Sequence, residues 1–216
     1  MITLTGIDER TDLAAVKELS NGVVEFAVLF SGKSEGRHRY PTLEFIAKAL
    51  DYMGGELAVH VCGGTARKML MLENGNTVFR KASRIQINGV LSEEELKTAL
   101  ALYDRQTIIT QHTEHNRKLL MTWGDGRHSL LVDNSGGRGI TPGAWKMPCT
   151  SKPVGFAGGL GSDTLTAQMA KMPQEFFARY QWWVDMESSL RDEQDWFSIE
   201  RAKACIEKVH CWRGSA

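Results

Sequence analysis

Several absences narrow this chain before any motif is read. It carries no net charge, since 26 basic residues balance 26 acidic ones, so no long-range field draws it to nucleic acid or to an anionic membrane. No apolar run approaches the ~18 residues that a membrane span requires, and the opening MITLTGIDERTDL shows no basic segment followed by an apolar core. A soluble, cytoplasmic protein is expected. Cys62, Cys149, Cys205 and Cys211 lack C-x-x-C spacing, which makes a poor disulfide framework and a poor zinc site, so free thiols and no metal are expected. No G-x-G-x-x-G follows the first strand-like run, where an open nucleotide-binding sheet carries its glycines. No linker or low-complexity segment marks a second domain.

What the chain has is alternation. Of its 216 residues 42% are hydrophobic, enough for a sizeable core. Strand-like ITLTGI precedes helix-like TDLAAVKEL, VVEFAVLF precedes PTLEFIAKALDYM, ELAVHVCG precedes TARKMLMLENG, SRIQING precedes SEEELKTALALYD, and TIITQ precedes TEHNRKLLMTWG. Three more apolar runs, His128–Val132, Val154–Ala157 and Trp182–Val184, follow, with helices near Thr164–Lys171 and Ser198–Val209. About eight βα units are the number a closed barrel needs, so residues 1–216 are expected to form a single (β/α)8 TIM-barrel domain. Each of the last three runs breaks into glycines, hydroxyls and carboxylates: DNSGGRG, GGLGSD and DMESS. Polar groups at the carboxyl ends of parallel strands mark a barrel's site, and late glycine pairs mark its phosphate. A small phosphorylated molecule is the expected partner, and the protein is expected to be a monomer or a homodimer.

These late segments resemble phosphoribosylanthranilate isomerase, whose pattern runs L-D-x-G-x-G-G-x-G, then L-A-G-G-L, then D-x-x-S-x-x-E. Here LVDNSGGRG, FAGGLGSD and VDMESS stand in the same order. Earlier, SGKSEGRHRYP is similar to the family's K-S-x-R-x loop, IQINGVLSEEEL to its V-Q-L-H-G-x-E, and LTGIDERTDL takes the place of its opening K-I-C-G-I-T-x-x-x-D. The resemblance implies an Amadori-type aldose-to-ketose isomerisation of a phosphorylated sugar derivative. The alternatives are a phosphosugar epimerase or lyase and a non-catalytic phosphosugar-binding protein. No lysine ends a recognisable strand, which counts against Schiff-base chemistry. No cofactor is expected; FMN, whose phosphate suits the same loops, is not favoured.

Glycines let a backbone approach an anion closely, so Gly158 and Gly159, with Gly136 and Gly137 beside them and the Ser188 and Ser189 hydroxyls at the same rim, are the expected phosphate cradle. Asp133 directly follows the sixth strand, and the resemblance gives the matching aspartate the part of general acid to the ribose ring oxygen. Thr5 stands where the family has its cysteine base, and a threonine hydroxyl cannot take a carbon-bound proton unaided. Cys62, ending the third strand, and Asp8, just after the first, are the candidate replacements. Arg39, with Arg37 competing, matches the family arginine facing the substrate carboxylate. Asn88 replaces a family histidine next to Gln86, and Gln111, His112 and His115 follow the fifth strand. Asp185 counts with the substrate-binding residues and as a substitute acid, although a carboxylate there would repel the phosphate. Trp182, Trp183 and Trp196 are expected in packing roles.

Overall fold

Apolar side chains on both faces of a short run commit it to a sheet covered on both sides. The eight runs form parallel strands: β1 (Ile2–Thr5), β2 (Val24–Phe30), β3 (Leu57–Cys62), β4 (Arg84–Asn88), β5 (Thr107–Gln111), β6 (His128–Asp133), β7 (Val154–Ala157) and β8 (Trp182–Met186). Each pairs with the next, and β8 pairs with β1, closing the barrel. The fold is thus the (β/α)8 barrel expected from the sequence. The computed structural model describes residues 1–72, 77–113, 115–116, 118–119, 124–133, 135, 139–145, 147–172 and 181–214. The helix expected over 113–124 and the loop residues Asn134, Gly136 and Gly137 lie wholly or partly outside that set.

The helices are α1 (Leu13–Leu19), α2 (Leu43–Met53), α3 (Gly64–Leu70), α4 (Glu93–Leu102), α5 (Leu165–Met169) and α6 (Ile199–Gly214). Their starts follow local chemistry. Asp12 accepts from Ala14 N, Thr42 from Phe45 N, and Ser92 forms a reciprocal capping box with Glu95, satisfying amides that a first turn leaves unpaired. In α2, Ile46, Ala49, Leu50 and Met53 recur on one face and are buried, each large side chain contributing roughly 1.5–3 kcal/mol.

Strand residues alternate between this outer core and the barrel interior. Leu4, Phe26, Val59, Ile85, Leu130, Phe156 and Val184 belong to the outer core. The interior is unusually polar for a barrel, which normally fills with branched apolar residues. At its floor Arg84 bonds Glu25 and Thr3, and Ser83 donates to Glu25 at 2.8 Å. Trp183 packs with Ile109 and Leu131 and lies under the Arg84 guanidinium, 4.7 Å from ring centre to charge. Gly155 makes room for it, because a Cβ there would sit 2.2 Å from Trp183 Cε2. Trp183 therefore has the packing role expected of it.

Candidate active site

A cavity of about 270 Å³ opens at the carboxyl ends of the strands, the face on which barrels of this kind place their chemistry. One side is built from β6, β7, β8 and the turns after them, with Asp133, Ser135, Gly158, Gly159, Asp185, Glu187 and Ser188. The other is a wall of amides, Gln86 and Asn88 on β4 and Gln111 on β5, with His60 of β3 deeper. Asp133 pairs in register with Ala157, and Ala157 with Asp185. Because the strands of a closed barrel are tilted and staggered, the two carboxyls, two strands and about 10 Å apart at ~4.8 Å per strand, lie at different depths, with Asp185 one layer below Asp133 and Glu187 nearer its level.

Asp185 is strongly perturbed. It is 6% exposed, and its Oδ1 accepts from the Thr5 hydroxyl at 2.6 Å. Burial pushes its carboxyl up to about 7, with Glu187 adding to the rise and Thr5 opposing it. His60 Nδ1 lies 3.8 Å from Asp185 Oδ2, yet burial drives the imidazole down to about 3, so the ring is neutral at physiological pH and offers no counter-charge. Gln86 Nε2 lies 3.2 Å from His60 Nδ1 and donates to Asn88 Oδ1 at 3.0 Å. Donation to Nδ1 puts the imidazole proton on Nε2. Gln86 Oε1 is buried with no partner among the described residues. Asp133 Oδ1 accepts from Ser135 N at 2.9 Å and Ser135 Oγ at 2.7 Å, so it caps its own loop as well as lining the cavity.

The two expected replacement bases do not have suitable surroundings. Asp8 is fully buried and accepts from Arg191, Phe197 N, Arg10 N and Thr11; it is absent from the described cavity lining and works as a loop anchor. Arg191 also bonds the Gly6 and His38 carbonyls, tying the loops after β1, β2 and β8 together. Cys62 accepts from Asn88 Nδ2 at 3.3 Å, and burial pushes its thiol up to about 12, where almost no thiolate forms at neutral pH. Thr5, the third residue at issue, orients Asp185.

Arg39 is also displaced from its expected place. Its Nε bonds both oxygens of Asp195 at 2.9 Å and its Nη1 bonds Glu187 Oε1 at 3.1 Å. With Arg37 and Tyr40 it lines a second hollow, of about 510 Å³, outside the barrel mouth. Glu187, which lines the first cavity, bonds Arg39 of the second. Its own carboxyl is raised by burial, against the pull of Arg39.

The glycine cradle is partly as expected. Gly158 and Gly159 have φ of 115° and 61°, conformations that favour glycine, and both line the cavity. A Cβ on Gly159 would lie 2.4 Å from Thr141 Oγ1, so close loop packing alone would require glycine. Ser188 and Ser189 both line the cavity, with the Ser189 hydroxyl donating to the Leu160 carbonyl at 2.7 Å. Gly136 and Gly137 lie outside the described residues. Gln111 reaches the lining, and His112 and His115 are not among its described residues. Trp196 stacks on His38 at 4.2 Å, with Arg10 over its ring. His60 escaped the reading of the sequence, although the period-two pair His60/Cys62 places it on the inner face of its strand, whereas Glu187 reads beside Asp185 as an acid at the end of the last strand. Among the described residues no cluster of His, Cys, Asp and Glu is placed to hold a metal, and no helix is long and apolar enough to cross a membrane.

Fold and cavity together define a parallel eight-stranded barrel with a site of carboxyls and amides in its mouth. Among solved structures, the chain is similar to phosphoribosyl anthranilate isomerase from Thermus thermophilus, at 17% identity over 98% of each chain with a TM-score of 0.66. It is similar to a monomeric form of the dimeric enzyme from Thermotoga maritima, at 15% identity over 97% of this chain and 99% of that one, TM-score 0.65. A phosphoribosyl anthranilate isomerase in complex with reduced 1-(o-carboxyphenylamino)-1-deoxyribulose 5-phosphate matches at 14% identity over 97% and 99%, TM-score 0.60. No family model and no curated protein matches the sequence. The chain has the fold of phosphoribosylanthranilate isomerase, in agreement with the order of its late motifs.

Proposed function

We propose that this protein isomerises a phosphorylated aldose derivative to the ketose, with Asp133 as acid and Asp185 as base and no cofactor. The observation carrying the reading is that both carboxyls line one cavity, Asp185 deeper and Asp133 nearer the rim, beside Gly158, Gly159 and Ser188. With the phosphate held by the glycine amides and Ser188, the sugar lies across the mouth. Asp133 protonates the ring oxygen, the C1–O bond breaks, and the lone pair of the C1 substituent nitrogen forms C1=N. Asp185 then removes the C2 proton, whose electrons form C1=C2 as the C1=N pair returns to nitrogen, and the resulting enolamine becomes the C2 ketone when Asp185 returns its proton to C1 and the O2 hydroxyl proton leaves to solvent. No net oxidation occurs.

A carboxyl raised to about 7 suits the base, because proton transfer is most efficient when the catalytic pKa lies near the working pH. The same pair of carboxyls on two walls also suits epimerisation by removal and return of one proton, which an NMR assignment of the product distinguishes. The test is turnover of phosphoribosylanthranilate and related N-glycosides by Asp133→Asn and Asp185→Asn. Each is expected to lose about 10²–10⁴-fold in kcat while still binding ribulose 5-phosphate. The rise of kcat/KM with pH, centred near 7 in the parent, should disappear in Asp185→Asn. Near-normal turnover in that variant would remove Asp185 from the mechanism.

A further inference from the structure

Two side chains grip one peptide at the end of β4. Arg67, on α3, donates from Nη1 to the Asn88 carbonyl at 3.1 Å, and Gln111 Oε1 accepts from Gly89 N at 2.9 Å. The peptide between Asn88 and Gly89 thus holds a guanidinium on its carbonyl and an amide on its N–H. Glycine is required for this approach: Gly89 has φ of 103°, and a Cβ there would lie 2.6 Å from Arg67 Nη1. The Asn88 and Gln111 side chains line the cavity, so the guanidinium stands one residue beyond the lining, at the outer edge of the amide wall.

Arg67 is held in place without being neutralised. It is half-buried, and no carboxyl among the described residues pairs with it. Its Nε is buried without a partner, and Nη2 bonds none of the described residues. Arg39 is the opposite case, with its Nε on both oxygens of Asp195 and its Nη1 on Glu187. A guanidinium anchored by a neutral carbonyl keeps its charge for a ligand, and partial burial strengthens its pull on an anion at the open Nη2. One already bound by two carboxylates must release them before it takes a third.

The phosphate cradle and the amide wall face each other across the mouth, so a sugar anchored by its phosphate sends its C1 group toward the wall. Resting on the phosphosugar reading above, we infer that this group ends in a carboxylate, and that Arg67 receives it in place of Arg39. Arg67 is then a specificity-determining residue, while Arg39, which the resemblance puts in that part, ties the loop after β2 to the loop after β8. A planar guanidinium fixed on a helix and a strand end suits the planar carboxylate in charge and shape.

Titration calorimetry with two ligands provides the test: reduced 1-(o-carboxyphenylamino)-1-deoxyribulose 5-phosphate, the compound bound by one structural neighbour, and the same molecule without its carboxyl group. The parent protein is expected to prefer the first by at least about tenfold, the size of one hydrogen bond to a charged group. In Arg67→Met the preference is expected to vanish through weaker binding of the carboxylate compound alone, and unchanged binding of the other ligand shows that the variant is folded. Arg39→Met is expected to keep the preference. Equal binding of the two ligands by the parent would overturn the inference whether or not the variants fold, and so would a preference that survives Arg67→Met. Failure of both ligands to bind the parent would instead overturn the phosphosugar reading.

Discussion

Two acidic side chains share the inside of this barrel, and their fates differ. Glu25 at the floor is 8% exposed and Asp185 at the mouth is 6% exposed, so depth does not separate them. Glu25 meets a cation, Arg84, with Thr3 and Ser83 completing its shell. Asp185 meets a hydroxyl and a neutral imidazole, and its carboxyl rises to about 7. A buried carboxyl given a fixed cation becomes part of the scaffold. One given only neutral partners titrates in the working range, where a group can exchange protons with a ligand.

Breaking the floor should produce the largest loss of stability. Arg84→Met leaves Glu25 buried and uncompensated, which costs about 3–5 kcal/mol; thermal denaturation should show a fall in Tm of roughly 10 °C. At the mouth the sign reverses. The raised carboxyl of Asp185 stays protonated up to about pH 7 when folded and ionises near pH 4 when unfolded. Its contribution to stability is therefore present below pH 4 and is lost as pH climbs to 7. Asp185→Asn should be more stable than the parent at pH 8, by on the order of 2–4 kcal/mol, and no more stable at pH 4. Urea denaturation at the two pH values checks this, and a variant weaker than the parent at pH 8 would mean that ionised Asp185 has a stabilising partner. The smallest effect is expected between the two sites. Gly155→Ala drives a Cβ against Trp183, an overpacking worth roughly 1–3 kcal/mol, and a near-UV circular dichroism spectrum should show Trp183 displaced.

The half of the site on β6 to β8 was legible as sequence because its chemistry is local. Asp133 ends its strand and Gly158, Gly159 and Ser188 follow theirs within two residues, and strand ends project into the mouth whatever the remaining contacts are. The amide wall was half legible, through Gln86, Asn88 and Gln111 at the ends of two strands. What failed was the assignment of roles by proximity along the chain. Asp8 and Cys62 sit near strand ends as a base should, yet one is bound by Arg191 and the other is desolvated beside Asn88.

The sequence by itself determined the barrel, since alternating strand and helix patterns and turn glycines are properties of short segments. It also determined which strand ends carry polar groups. Only the tertiary structure decided what those groups are. Thr5 reaches Asp185 across 180 residues, Arg39 reaches Glu187 across 148, and Arg191 reaches Asp8 across 183. A carboxyl's proton affinity depends on the charge and water within a few ångströms of it, and in a closed barrel those neighbours come from the opposite end of the chain.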